Sequence, residues 1–308
     1  MAAVVEQGHR FGGAWTELKL DAVRYYLGFF TKVLERQPFD LWYIDAFAGS
    51  GTREAKLERG GLFEGVPTQT CVETLAGSVL HALAVSPPFS RHVFIEGKRA
   101  RFRELEAIAR QYPEKHIECR HGDANEELRS ILTSPPWSNP RGSQRAVIFL
   151  DPYGMNVAWE TLRLLAATKR VDVWYLFPLQ AVTRQLAADL GKVDAHKQDS
   201  LDSIFGTSVW RDELYATEAV PDLFSATSTS TRRNVTQQEI EEYSRKRLGT
   251  LFRYVSRPLP LMAEGRGHLF SLFCLSNSDS DAAIGLIEKG VRSTLKKYGS
   301  ASRRMFDL

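Results

Sequence analysis

The sequence predicts an α/β fold built around a mostly parallel β-sheet, and two observations support this prediction. Apolar runs of strand length alternate with helix-like segments, as in strands joined by right-handed crossover helices. The runs are almost wholly apolar, which is typical of parallel strands buried on both faces. They are LWYIDAF (41–47), HVFIEG (92–97), HIECRHGD (116–123), AVIFLDPYG (146–154) and VDVWYLFP (171–178).

Amphipathic spacing predicts the helices. In residues 17–36, apolar side chains recur three and four positions apart, which is the period of one helical face. This helix belongs to a predicted N-terminal helical segment, residues 1–40. Further helices are predicted at residues 100–112, 158–169 and 236–252.

The end of the chain predicts an antiparallel closure of the sheet. The apolar runs at residues 253–262 and 268–277 flank the turn-forming sequence AEGRG, a pattern that is typical of a hairpin. We therefore expect a mostly parallel seven-stranded sheet with an antiparallel C-terminal strand and helical insertions.

We predict one domain, residues 1–308, that carries two insertions. Residues 53–90 separate the first two strands by more than a crossover helix needs, so we expect an inserted helix and loops there. Residues 183–235 are polar, and we expect an insertion that acts as a substrate lid or a partner surface.

Composition and charge exclude several classes of protein. Hydrophobic residues make up 43% of the 308, but no apolar run reaches the roughly 20 residues that span a bilayer. The three scattered cysteines, Cys71, Cys119 and Cys274, do not suggest a disulfide framework, so we expect a cytoplasmic protein. The net charge of +3 is compatible with a polyanionic partner.

Metal and covalent chemistry are not indicated. His116, Cys119 and His121 are close in sequence, but on a strand the first would face away from the other two. The C-x-x-C, H-E-x-x-H and G-x-S-x-G motifs are missing from the sequence. We therefore predict no metal site.

The segment YIDAFAGSGT (43–52) predicts a nucleotide-like ligand, because a buried strand ends in an acid and a glycine turn follows. A phosphate-binding loop would need a lysine after the glycines, and a dinucleotide site would need a third glycine. The remaining possibility is the S-adenosylmethionine site of class I methyltransferases, formed here by Asp45, Phe47, Gly49 and Gly51. A tight turn without any ligand is the alternative.

Two more acids follow later strands. Glu96 ends the second apolar run, where a carboxylate can accept hydrogen bonds from both ribose hydroxyls, and Asp123 follows the third, where it can bind the adenine amine. Because open α/β sheets bind ligands outside the carboxyl ends of their strands, these acids and Asp45 are expected to meet at one crevice. Each acid alone could instead belong to a solvated turn.

Residues Asp151, Pro152 and Tyr153 are the predicted reactive position, at the end of the fourth run. An acid and a proline carbonyl can accept hydrogen bonds from a planar amine while an aromatic ring stacks on its base. These contacts would align the amine nitrogen with the methyl group of S-adenosylmethionine. The second proline of amine methyltransferases is missing, and Gly154 follows, as in tRNA guanine-N2 dimethyltransferases. The alternative is that these residues only form a turn.

Two segments match the amine-methylating tetrapeptide more closely, SPPF (86–89) and SPPW (134–137). Each follows a helix-like segment and precedes a predicted strand. We therefore expect them at the opposite end of the sheet from the cofactor, as loops that end helices.

Together these residues resemble the three-Cys-motif partner family. The resemblance rests on TELK (16–19), YIDAFAGSGT, VFIE (93–96), DPYGMNVAWETLRLLAAT (151–168) and DVWYLFP (172–178). It implies a Rossmann-like class I methyltransferase fold, S-adenosylmethionine as cofactor, and pairing with an iron–sulfur, radical-type protein that carries three cysteines. It also implies that Lys19 lines the cofactor entrance with Asp45, Gly49 and Gly51. For Lys19, a solvated helix face is the alternative.

Basic stretches at residues 97–103, 230–234, 244–247 and 295–306 could follow a phosphate backbone, although such stretches are often solvated faces. Two functions therefore remain open. The first is an S-adenosylmethionine-dependent methyltransferase acting on an exocyclic amine, most simply of a nucleic acid base. The second is a non-catalytic adaptor subunit for an iron–sulfur partner.

Overall fold

The computed structural model describes residues 10–11, 14–61, 66–139, 141–220, 228–263, 265 and 267–304. The strands in this part of the chain are β1 (Arg10–Phe11), β2 (Asp40–Asp45), β3 (Thr52–Gly61), β4 (Val66–Ala76), β5 (Arg91–Glu96), β6 (Ile117–His121), β7 (Gln144–Leu150), β8 (Val171–Phe177), β9 (Tyr215–Val220), β10 (Ser228–Arg233), β11 (Tyr254–Val255), β12 (Leu259–Ala263) and β13 (Gly267–Ser276). The helices are α1 (Ala14–Leu34), α2 (Ser78–Leu83), α3 (Arg99–Ala109), α4 (Ala124–Thr133), α5 (Trp159–Thr168), α6 (Leu179–Gln185), α7 (Ala195–Phe205), α8 (Trp210–Glu213), α9 (Gln237–Leu248) and α10 (Asp281–Arg304).

The central sheet has the order β6–β5–β2–β7–β8–β13, and β11 and β12 both pair with the outer edge of β13. The five strands from β6 to β8 are parallel, whereas β13 is antiparallel to β8. The chain first builds outward from β2 to β6 and then returns to place β7 on the other side of β2. This order confirms the predicted Rossmann-like class I methyltransferase fold class.

The sheet differs from the prediction in one detail, since it contains eight strands rather than seven. The outermost position is divided between β11 and β12, which are separated by residues 256–258. The Ser256 amide still donates to the Cys274 carbonyl (2.9 Å), but the Cys274 amide donates to the Ser256 hydroxyl (2.9 Å), and Pro258 has no backbone N–H to donate. The ladder is therefore interrupted there.

Helices cover both faces of the sheet, and each face has its own apolar core. Helices α1, α2, α3 and α10 pack on one face, and α4, α5, α6, α7 and α9 pack on the other. Alternate residues of β7 supply the two cores, so that Val147 and Phe149 point to one side and Ile148 to the other. All three are fully buried, as the apolar sequence predicts.

The insertion at residues 53–90 is mostly a β-hairpin, which corrects the prediction of an inserted helix and loops. Strands β3 and β4 pair antiparallel from Thr52↔Ala76 onward, and β1 adds a third strand. The expected helix is present only as α2. Threonine and valine recur in β4, and such residues favour strands over helices. Residues 62–65 lie outside the described part.

The insertion at residues 183–235 contains helices α7 and α8 and the hairpin formed by β9 and β10. Its helices bury apolar side chains such as Leu201 and Trp210 in the core, despite the polar composition. Residues 221–227 of this insertion and residues 1–9, 12 and 13 of the N-terminal segment lie outside the described residues. The lid function stays a prediction.

Helix α1 is fastened to the sheet by a buried polar contact. The Tyr26 hydroxyl donates to Asp172 Oδ2 (2.8 Å), and both side chains are buried. Burial raises the pKa of Asp172 to about 6, while its hydrogen bonds with Tyr26 and Ser276 oppose that shift. The carboxyl group thus depends on these two hydroxyls because little water reaches it.

We expect Tyr26→Phe to lower the free energy of unfolding by about 1–3 kcal/mol, because Asp172 would lose a buried donor while the ring packing stays. Tyr25→Phe is the matched control, since the neighbouring hydroxyl meets Ser293 Oγ in an exposed position. Its effect should be within about 0.5 kcal/mol. Urea unfolding checks both variants, and equal losses would contradict the role assigned to Tyr26.

Candidate active site

The carboxyl ends of three neighbouring strands bring acidic residues to one edge of the sheet. In the strand register, Asp45 lies beside Phe94 of β5 and beside Phe149 of β7. Glu96 and Asp151 each follow two residues later, so the three carboxylates share this edge. The reversal of strand order between β2 and β7 is also where α/β sheets open a ligand crevice.

Asp45 fastens the glycine turn. Its Oδ1 accepts from the Phe47 amide (3.1 Å), its Oδ2 accepts from the Tyr43 hydroxyl (3.5 Å), and the Ser78 side chain also hydrogen-bonds to it. Asp45 is fully buried. Burial raises the pKa of Asp45 to about 7, against the lowering effect of Ser78 and Phe47. Its carboxyl is thus engaged within the turn, and a direct cofactor contact stays a prediction.

The two glycines of the turn serve different needs. Both have positive φ, +64° at Gly49 and +80° at Gly51. A Cβ at Gly51 would lie 2.6 Å from Ile108 Cδ1, so glycine allows the turn to pack against helix α3. A Cβ at Gly49 would meet nothing within 4 Å, so the backbone there is open to a ligand. The Ala48 amide donates to the Ile95 carbonyl (3.0 Å), which ties the turn to β5.

Glu96 lies where a carboxylate can bind a sugar diol. Its Oε1 accepts from the Lys98 amide (2.6 Å), and the residue is 6% exposed. Among the described residues, its Oε2 has no hydrogen-bond partner. One oxygen is therefore used to fix the side chain, and the other can accept from a ligand hydroxyl.

Asp123 has a structural contact that the sequence prediction did not include. It is the N-cap of α4, and its Oδ1 accepts from the amides of Asn125 (2.9 Å) and Glu126 (3.2 Å). Such a cap satisfies donors that the helix itself cannot pair. Binding of the adenine amine by Asp123 stays a prediction.

Asp151 forms an ion pair with Lys19 through its Oδ2. Lys19 is 4% exposed, so its alternative placement on a solvated helix face is wrong. The ammonium group also lies 5.3 Å from the Trp15 ring centroid and 5.9 Å from that of Phe149. Oδ1 of Asp151 has no hydrogen-bond partner within the described part of the chain and remains available as an acceptor.

We call the site that contains Lys19, Asp151 and Tyr153 the Asp151 corner. Tyr153 is its exposed aromatic side chain, with 60% of its surface accessible. Its hydroxyl accepts from Arg101 Nη1 (2.6 Å), and its ring lies 5.2 Å from the Arg101 guanidinium and 5.8 Å from the Lys98 ammonium. Pro152 before it is buried, and Gly154 after it has φ +67°. The ring therefore stands at the protein surface beside two cations.

Asn125 is a functional candidate that sequence reasoning missed. Its Nδ2 donates to the Asn156 carbonyl (2.9 Å), and its Oδ1 accepts from the Ala158 amide (3.0 Å) and the Thr161 hydroxyl (2.7 Å). The side chain thus holds the loop that carries Tyr153 against helix α4. Its place two residues after Asp123, in the first turn of α4, was the available signal.

The remaining sequence motifs lie away from this corner. SPPF follows α2 and precedes β5, and SPPW follows α4 and precedes β7, so both are at the amino end of the sheet as expected. Phe89 and Trp137 of these motifs are buried. The described residues contain no cluster of three or more metal-binding side chains. None of the helices in the described ranges is both long and apolar enough to cross a membrane.

Comparisons with known proteins find no matching family model and no matching curated protein. Among solved structures, protein LPL1258 from Legionella pneumophila is 13% identical, with a TM-score of 0.49 and 93% of each chain covered. The putative methyltransferase yhhF from Escherichia coli is 14% identical, with a TM-score of 0.29, covering 68% of this chain and 86% of its own. An S-adenosylmethionine-dependent methyltransferase from Clostridium acetobutylicum is 11% identical, with a TM-score of 0.34, covering 83% and 92%.

These similarities carry no argument about function, and the three-Cys-motif partner family is not confirmed by them. The fold assignment rests on the strand order of the sheet itself.

The buried Asp45 carboxyl makes stability depend on pH in a defined direction. An acid whose pKa is higher in the folded state than its ordinary 3.8 destabilises the fold as pH rises from about 4 to about 7. Asp45→Asn cannot ionise, so its free energy of unfolding relative to the wild type should increase across this range and level off above it. Urea unfolding at several pH values measures this difference. A constant difference would contradict the assignment.

Proposed function

We propose that this protein is an S-adenosylmethionine-dependent methyltransferase that methylates an exocyclic amine of a nucleic acid base. The observation that carries the proposal is the Asp151 corner. There, a carboxylate held on one oxygen by Lys19 keeps its other oxygen available next to an exposed aromatic ring.

The cofactor end of the site fits an adenosyl nucleoside. Glu96 offers an acceptor to the ribose hydroxyls, and the open backbone at Gly49 allows the close approach that such a ligand needs. S-adenosylmethionine supplies an electrophilic methyl group on a sulfonium when bound. Glu96 also favours a ligand that carries positive charge, since its second oxygen has no partner among the described residues.

The substrate end of the site suits a planar amine. Asp151 Oδ1 accepts a hydrogen bond from the amine, which orients the nitrogen and leaves its lone pair directed at the methyl group. Lys19 prevents the carboxylate from rotating, because it binds the second oxygen. The ring of Tyr153 provides a stacking surface for a base that has been flipped out of a nucleic acid duplex.

The cations around Tyr153 support a nucleic acid substrate. Lys98 and Arg101 flank the ring, and the exposed Arg99 and Arg103 continue along helix α3. In the other basic stretches, several side chains serve internal contacts. Arg233, for example, donates to the carbonyls of Thr183 and Leu186. The stretch 97–103 is therefore the part of the predicted basic path that adjoins the reactive corner.

We expect Asp151→Asn to lower methyl transfer by about a hundredfold or more, because the amide offers a weaker acceptor and loses its ionic tie to Lys19. Transfer of labelled methyl groups to tRNA, rRNA, DNA and protein measures the activity. Calorimetry with S-adenosylhomocysteine serves as the control and should give nearly wild-type affinity.

The screen has two other outcomes. If the wild type binds the cofactor but labels no substrate class, the transferase proposal is wrong, and the adaptor function with an iron–sulfur partner becomes the better account. Labelling of protein alone would overturn the nucleic acid substrate.

We expect Glu96→Gln to weaken binding of S-adenosylhomocysteine by about 1–3 kcal/mol, because charge-assisted hydrogen bonds to the ribose would be lost. Glu104→Gln is the matched control, since Glu104 is exposed on α3 and should leave the affinity unchanged. Titration calorimetry measures both. Equal affinity in the two variants would remove Glu96 from the site.

A further inference from the structure

A concave basic surface lies at the edge of the sheet opposite the Asp151 corner. We call it the basic depression and define it by Arg141, Arg145, Lys169 and Arg170, which line an open cavity of about 760 Å³. Arg145 is the second residue of β7, and Arg170 directly precedes β8. The length of β7 separates the basic depression from the Asp151 corner, about 20 Å.

The charges in the basic depression are not balanced within the described chain. One acid, Asp279, lines the same cavity, and it already pairs with Lys169 (2.9 Å). Arg141, Arg145 and Arg170 have no carboxylate partner among the described residues. Three arginines thus line the same cavity without a counter-charge from those residues, which favours an external anion.

Two of these guanidinium groups are held in place by the fold. Arg145 stacks 4.3 Å from the Phe39 ring centroid, and Arg170 stacks 5.3 Å from that of Trp137. Burial lowers the pKa of both, and the charge of Arg170 lowers that of Arg145 further. A bound anion would offset this cost, and side chains that are already fixed lose little entropy on binding.

Lys169, also in the basic depression, has a backbone conformation that is uncommon for lysine. It has φ 55°, and no other non-glycine residue in the described ranges has a positive φ. A helix ending in this conformation usually has glycine or asparagine. The chain instead places a lysine beside Arg170, at some cost in backbone strain.

We propose that the basic depression binds a phosphate group of a nucleotide or of a nucleic acid backbone. Planar guanidinium groups match the oxygens of a phosphate, and a concave cavity admits a narrow anion better than it admits the flat surface of an acidic protein. This inference does not depend on the proposed methyl transfer, because it uses none of the residues of the Asp151 corner.

The test is a double variant, Arg141→Gln with Arg145→Gln, measured on the full-length protein. Arg170 is left unchanged, since it donates to the carbonyls of Gly142 and Trp137 and so supports the loop. The matched control removes two exposed cations from the helices, Arg24→Gln with Lys289→Gln. Thermal unfolding of both variants verifies that they are folded.

Binding is measured by calorimetry with pyrophosphate and by fluorescence anisotropy with a short single-stranded RNA. We expect the double variant to bind the probe at least about tenfold more weakly than the wild type does, while the control variant keeps nearly the wild-type affinity. If RNA is the probe that binds, the slope of affinity against salt should also fall by about 0.7 for each lost phosphate contact. Binding of pyrophosphate alone would identify a small phosphate ligand as the natural occupant. Binding of RNA would identify a nucleic acid backbone.

Three results would overturn the proposal. These are no saturable binding of either probe by the wild type, equal weakening in the double variant and the control, or tighter binding of poly-glutamate than of both phosphate probes. Asp151→Asn should keep wild-type binding of pyrophosphate even if methyl transfer is lost. This separates failure at the basic depression from failure of the proposed function.

Discussion

An ion pair between the buried Lys19 and the half-buried Asp151 joins the first long helix to the end of the central strand β7, across 132 residues of sequence. A buried ammonium group is costly unless a partner compensates it, so the position of helix α1 and the orientation of the carboxylate depend on one another. The Tyr26 contact with Asp172 fixes the same helix seven residues further on. The geometry of the Asp151 corner therefore depends on the packing of α1 on the sheet.

Charged side chains gather at both ends of the sheet. The carboxyl ends of β2, β5 and β7 carry Asp45, Glu96 and Asp151, with Lys19 paired to Asp151, whereas the amino ends of β7 and β8 adjoin arginines. The arginine-lined end suits an anionic group. The overall charge of +3 does not reveal it, because opposite charges cancel in the sum.

The Tyr153 side chain is exposed to solvent, yet neighbouring residues hold it in place. The ring is mostly accessible, yet Arg101 holds its hydroxyl, and Asn125 fixes the loop behind it through Asn156 and Ala158. A solvent-facing aromatic side chain that is held in this way can bind a flat ligand with little loss of rotamer entropy. The contacts come from helices α3 and α4, which flank the crevice, so the site is built by the crossover connections as well as by the strands.

The sequence by itself determined the five parallel strands of the central sheet and the position of the acids at their ends, because apolar runs and their alternation with helices are local patterns. Residues 53–90 were expected to hold an inserted helix and loops, and the hairpin formed by β3 and β4 was missed, since a hairpin in an insertion is defined by the pairing of its two strands. The cap that Asp123 forms on its own helix is a local contact. Only the tertiary structure decided the contacts of Lys19 with Asp151 and of Arg145 with Phe39. Such contacts follow from the packing of elements that are distant in the chain, and no local pattern records them.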